Sequence, residues 1–269
     1  MNQSVVPVRK SYVKSKYGQI HLRTAKPTRT DARPLLCIHL SPLSGVVYER
    51  FMKEIGKDRL TIAPDNLGYG MSDGPDIPPD IGVFAEAMSE LLETLGLTDV
   101  DVMGYGTGSK ISFELALRRP DAVKHLILIS APVYTEKEAA YMQATLGADI
   151  EPEADGSHLI KLWKQVGGFP TLELRMGIYP EHIRACDRKA WGPRAAFAYR
   201  YEDKIGELQP PLLVLNIDNE IREPTARIAP HINNGEYIEL FQWKHGFLDN
   251  HPAEVAEITR NFLDAPSRG

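Results

Sequence analysis

The sequence predicts an α/β fold in which a largely parallel sheet is covered by helices on both faces. Two patterns carry that prediction. From the start of the chain to about Ser130, short apolar runs alternate with helical periodicity, and the same rhythm resumes at Leu212 after a long helical interruption. Composition is the third observation: 269 residues, 43% hydrophobic and 25% charged, sit in the globular range and suffice for one large domain or two small ones.

Ser11 to Ser15 and Gln19 to Thr24 read as a hairpin turning at Tyr17-Gly18. Leu35-Leu36-Cys37-Ile38-His39 and Leu60-Thr61-Ile62-Ala63 are continuous apolar runs of the buried-strand type. Between Val83 and Leu97, Phe84, Ala87, Met88, Leu91, Leu92 and Leu95 fall on one helical face, and Gly96 stops the helix. Val100 to Met103 is a strand, Thr107 to Arg119 a helix ended by Pro120, and His125 to Ser130 the next strand. Strand, helix, strand repeated requires parallel pairing with helical crossovers. From Tyr134 to Gln209 the pattern becomes helical and rich in Trp, Tyr and Met, with polar breaks at Glu151 to Gly156 and Gly167-Gly168. Residues 134–209 therefore read as a helical lid inserted into one core made of residues 1–133 and 210–269. Strands at Leu212 to Leu215 and Tyr237 to Phe241 and a helix at Ala253 to Phe262 complete that core.

Charge and cysteine content exclude several classes. Lys plus Arg number 31 against 36 for Asp plus Glu, and the net charge of -5 leaves no footprint for nucleic acid. The two cysteines, Cys37 and Cys186, provide neither a disulfide framework nor the paired spacing of a zinc site. Met1 to Tyr17 has no apolar stretch of signal-peptide length, and no run reaches the roughly 18 apolar residues of a membrane helix. The expectation is a reduced, cytoplasmic protein without a membrane or nucleic-acid partner, acting on a small molecule without metal or organic cofactor; its oligomeric state is left open.

Three separated motifs carry the chemistry. Ile38-His39-Leu40-Ser41-Pro42 follows a buried strand. Asp65-Asn66-Leu67-Gly68-Tyr69-Gly70-Met71-Ser72-Asp73 is an acidic, glycine-rich turn, and Met103-Gly104-Tyr105-Gly106-Thr107-Gly108-Ser109 links a strand to a helix. In this order they resemble the α/β-hydrolase family. The resemblance implies an eight-stranded, mostly parallel sheet and a G-x-S-x-G nucleophile elbow at residues 104–108. Gly104 and Gly108 hold the flanking positions, so Gly106 stands in the serine's place and the nucleophile is missing. A variant Gly-x-Gly-x-Gly elbow also resembles the N-myc downstream regulated family at that stretch. The resemblance assigns oxyanion-hole amides to Ser41 and Thr107, the base to His245 within Trp243-Lys244-His245-Gly246-Phe247, and the acid to Asp218 with Glu220 as runner-up. Leu40 departs from the usual glycine. Asp65, Ser72 and Asp73 have a purely structural reading, in which they bond the turn's own backbone. Tyr105, Met142 and Trp163 are the candidate substrate contacts, consistent with a small, largely apolar ester, lactone or related carbonyl substrate. Arg175, Arg184 and Arg194 read as surface charge.

Glycine has no nucleophilic atom, so acyl-enzyme chemistry is closed to the chain as written. Three readings stay open. One is a hydrolase deprived of its serine. The second is an Asp218/His245 dyad acting as general base in lyase, cyclase or cofactor-independent oxygenase chemistry. The third is a non-catalytic ligand-binding homologue.

Overall fold

The computed structural model describes residues 6–145, 151–166 and 169–265. Among them, eight strands form one sheet in the order β1-β2-β4-β3-β5-β6-β7-β8. The hairpin forms with its turn at Lys16-Tyr17, one residue before the expected Tyr17-Gly18: β1 (Arg9–Ser15) and β2 (Gly18–Ala25) pair antiparallel, with Gly18 at φ 108° opposite Ser15. β2 also pairs antiparallel with β4 (Thr61–Pro64). The remaining pairings are parallel, linking β4 to β3 (Leu35–Ile38), then β5 (Val100–Tyr105), β6 (Val123–Ile129), β7 (Leu212–Ile217) and β8 (Gly235–Leu240).

Strand alternation divides the core into two layers. Leu36, Ile38, Val102, Leu126, Leu128 and Val214 pack with residues of α2 (Ile81–Thr94) and α3 (Thr107–Arg118) on one face. Leu35, Cys37, Met103, Ile127, Ile129, Leu213 and Leu215 pack on the other face with α1 (Glu49–Ile55) and the last helix. The apolar face read from Phe84 to Leu92 is the buried face of α2, and Asp80 caps its N-terminus by accepting from Val83 N–H at 2.8 Å.

Between β6 and β7 the chain forms α4 (Glu136–Thr145), α5 (Ser157–Gln165), α6 (Leu172–Ala185) and α7 (Trp191–Ala198). The sequence break at Gly167-Gly168 lies outside the described residues. After β7 come α8 (Arg222–Ala226), β8, α9 (Phe247–Asn250) and α10 (Pro252–Leu263). Among the described residues no helix is long and apolar enough to cross a membrane.

Candidate active site

The two glycines flanking the elbow are fixed by close approach. A side chain at Gly104 would collide with Gly108 O and Ser112 Oγ, and one at Gly108 with Ile38 O. They let β5 run straight into α3 against β3. Between them Gly106 has φ 56° and ψ -113°, a conformation hostile to side chains, and its N–H donates to Ile129 O at 2.9 Å. A Cβ there would meet only Leu40, whose Cβ lies 3.0 Å away. The turn thus keeps the strained backbone of an elbow while the residue bearing it has no functional atom. Neither neighbouring hydroxyl replaces it. Ser109 Oγ donates within the fold, to Gly104 O at 2.9 Å and Ile129 O at 2.7 Å, and Thr107 makes no hydrogen bond to His245.

The histidine loop follows β8 and is held by Asp218 N–H donating to Trp243 O at 2.8 Å. That bond extends the pairing beyond β7 and turns the Asp218 carboxylate toward Arg222 and Lys244, with contacts of 3.3 and 3.7 Å. Asn219 then bends the chain by accepting from Ile221 N–H at 3.1 Å and donating to Ser130 Oγ at 2.8 Å. The histidine's carboxylate partner is consequently Glu220, with Oε2 3.0 Å from His245 Nε2, and the expectation of Asp218 is corrected. Burial disfavours the Glu220 carboxylate, but the hydrogen bond and charge of His245 outweigh it and hold the carboxyl below its ordinary value.

On its other side His245 Nδ1 lies 2.6 Å from the Tyr105 hydroxyl. Burial drives the Tyr105 phenol well above its ordinary value, so it stays protonated. The arrangement consistent with both contacts has Tyr105 O–H donating to Nδ1 and Nε2–H donating to Glu220. The imidazole is further sandwiched by the Tyr105 ring at 6.0 Å and Phe169 at 5.7 Å.

These groups face a cavity of about 540 Å³, lined also by Ser41, Gly106, Thr107 and, from the helices between β6 and β7, Met142, Leu162, Val166 and Phe197. Its size suits a small organic ligand. The Ser41–Thr107 pair flanks the elbow. Thr107, the first residue of α3, carries a backbone N–H with no intrahelical acceptor, and Ser41 Oγ is buried without a partner among the described residues. His39 anchors the Ser41 loop: Nδ1 donates to Leu40 O and Nε2 accepts from Asn66 N–H, each at 2.8 Å. Burial lowers this imidazole to about 4, which keeps it neutral for that double role.

Trp163 is the expected substrate contact that does not reach the cavity; it packs edge-on against Tyr179 at 5.1 Å, under the Arg175 guanidinium. Three basic cavity residues escape the sequence reading: Lys110, His182 and Lys189. Lys110 sits four residues past Gly106 at the start of α3, and nothing in its sequence setting marks it as facing the cavity. A larger depression of about 990 Å³ lies at the opposite end of the sheet, lined by Arg33, Arg59, Asp101 and His125. It is occupied by a structural ion-pair cluster, with Arg33 Nε 3.0 Å and His125 Nδ1 2.9 Å from Asp101, and α/β sheets place their sites at the carboxyl ends of the strands instead.

Comparison with known proteins agrees with this architecture. Residues 33–149 match the alpha/beta hydrolase fold family. A 2-hydroxymuconate semialdehyde hydrolase from Pseudomonas sp. (strain CF600) is 32% identical over 102 residues, 36% of each chain, so the match spans only about a third of that relative's length. A hydrolase from Pseudomonas aeruginosa PA01 superimposes with a TM-score of 0.81 over 96% of this chain and 99% of that one, at 17% identity. The enol-lactonase from Burkholderia xenovorans LB400 does so with a TM-score of 0.78 over 95% and 100%, at 16% identity. With the strand order, the glycine-flanked elbow and these likenesses in agreement, the chain has the α/β-hydrolase fold.

Proposed function

We propose that this protein is a hydrolase-type enzyme for a small, largely apolar ester, lactone or related carbonyl compound, with the acyl-enzyme route closed at Gly106. The observation that carries the reading is the backbone of Gly106, which holds an elbow's conformation at the wall of the cavity that also receives a carboxylate-paired histidine. The backbone amides of Ser41 and Thr107 would receive the carbonyl oxygen as it gains charge. Residues 134–209 act as the lid, contributing apolar walls that exclude water.

Without a serine, the step left to this layout is direct attack by water. Water gives a proton to Tyr105 Oη as Tyr105 passes its own to His245 Nδ1, and Glu220 stabilises the resulting imidazolium. The oxygen of water bonds to the carbonyl carbon. The acyl carbon–oxygen bond then breaks, and the leaving alkoxide takes back the proton through the same relay, giving acid and alcohol. A second reading, general-base chemistry on a substrate C–H or O–H without hydrolysis, is favoured by the Tyr105 contact, which leads from the base to a proton-bearing group at the cavity wall.

Gly106→Ser separates the readings. Losing the nucleophile of a comparable triad costs on the order of a millionfold, so the serine variant should gain about 10³-fold or more on short esters and lactones, with an acyl-enzyme trapped by a phosphonate. No gain in a folded variant across a broad ester and lactone panel overturns the hydrolase reading. Turnover by the glycine form of a non-hydrolytic substrate, abolished by His245→Ala, establishes the second.

A further inference from the structure

The cavity contains a cation that neither the elbow nor the His245 relay uses. Lys110 is 3% exposed and lines the same cavity as Gly106 and His245. Its ammonium donates to Tyr199 O at 2.9 Å and lies 4.7 Å from the centre of the Tyr201 ring and 5.4 Å from that of Tyr134. Ring faces attract a cation, yet they supply no full negative charge. An ammonium has three donors, and one carbonyl takes one of them. Among the described residues Lys110 has no ion pair. A buried charge left in that state is costly unless something else compensates it.

Lys189 also borders the cavity, and His182, which burial holds neutral at about 4, presents a buried Nδ1 with no hydrogen-bond partner among the described residues. Glu220 is the single carboxylate among the cavity's described lining residues, and His245 engages it. Lys110 is therefore left without an anionic partner of its own among the described residues. We propose that Lys110 is the recognition point for a carboxylate on the substrate, so that the substrate class is a carbonyl compound carrying a free carboxylate beside the bond to be broken. This deepens the hydrolase reading and rests on it. Burial pushes the Lys110 amine down to about 7, with smaller opposing effects from Glu202 and Arg200, and a carboxylate bound against it would restore its charge.

The test reads binding, so it is independent of turnover. Monoethyl glutarate and diethyl glutarate, which differ in that a carboxylate of the first is an ethyl ester in the second, are titrated calorimetrically into the protein and into Lys110→Met and Lys110→Gln. The unmodified protein should bind the monoester about tenfold or more tightly than the diester, and both variants should lose that preference while keeping their affinity for the diester. Equal affinity for the two probes, no detectable binding of the monoester, or a preference that survives both substitutions overturns the proposal. So does a borohydride-reducible adduct between Lys110 and a keto acid, which would make the amine a nucleophile instead. If carboxylate preference is found and Gly106→Ser gains no esterase activity, the subsite stands and the hydrolase reading falls; the converse result separates them the other way.

Discussion

The turns after β4 and β5 are both glycine-rich, both end a buried strand, and both carry hydroxyl or carboxylate side chains, yet they are built to opposite ends. In the first, the Asp65, Ser72 and Asp73 side chains are all engaged by the protein, and Asn66 Oδ1 is the one buried side-chain atom of the turn left without a partner among the described residues. Asp65 accepts from Gly45 N–H at 2.8 Å, Met71 N–H at 2.9 Å and Arg23 Nη1 at 2.6 Å, with His21 Nδ1 at 2.9 Å. Ser72 Oγ donates to Asp65 O at 2.7 Å and accepts from His21 N–H, and Asp73 accepts from Gln19 N–H. The second turn faces a cavity, and around it, among the described residues, stand Ser41 Oγ and His182 Nδ1 without partners and Lys110 without a counterion. Glycine content does not distinguish a structural turn from a working one. What distinguishes them is how far the acidic, basic and hydroxyl groups around each turn are satisfied internally.

The comparison is broken most forcefully at the glycines themselves. Gly70 has φ 55° and Gly106 φ 56°, but a Cβ on Gly70 would run into the Asp65 carboxylate, which its hydrogen bonds hold in place. Gly70→Ser should cost about 3 kcal/mol or more and leave little folded protein, whereas Gly106→Ser, resisted by Leu40 and by backbone strain, should cost about 1–3 kcal/mol and still fold. Urea unfolding of the two variants decides it; equal losses would erase the distinction.

Charge gives the next test. Burial opposes ionisation of Asp65, but the hydrogen bond from His21, the charge of Arg23 and the Met71 N–H overcome it and hold the carboxyl at about 2. Asp65→Asn removes one of the two carboxylates that Arg23 engages, leaving Glu49 at 2.9 Å from Nε, and should cost about 2–3 kcal/mol. The sign with pH follows from a depressed native value. Stability from Asp65 is present above the ordinary carboxyl value and disappears as pH falls from about 4 toward 2, a loss of about 2 kcal/mol that the Asn variant should not show in acid-dependent unfolding.

The smallest effect belongs to Asp218, whose ion pairs with Arg222 and Lys244 are partly solvated. Asp218→Asn should change stability by less than about 0.5 kcal/mol and leave turnover in the Gly106→Ser background unaltered. Glu220→Gln in that background should lower turnover about 100-fold, because the histidine loses its charged partner. The reverse ranking would return the acid to Asp218.

Most of the fold was legible because its signals are local. Leu35–Ile38 and Leu212–Ile217 are uninterrupted apolar runs, and Phe84 to Leu92 keep one helical face; burial on two sides of a sheet demands both. The site was legible where backbone geometry demands a residue type, as at Gly104 and Gly108. It was illegible where one residue of strand extension decides a side chain's direction. Asp218 and Glu220 differ only in that Asp218 N–H still pairs with Trp243 O while Asn219 begins the bend. Lys110 reads as an ordinary helix lysine until the helix is docked with its first turn on the cavity.

Gly106 has the dihedral angles of an elbow, so on the proposed hydrolase reading the missing hydroxyl can be separated from the present chain by a small genetic step. Two glycine codons, GGU and GGC, become the serine codons AGU and AGC by a single base change. A gene that encodes Gly106 with either of these codons lies one base change from a serine at the elbow, and on the proposed reading that change would leave histidine, acid, oxyanion turn and pocket as they are.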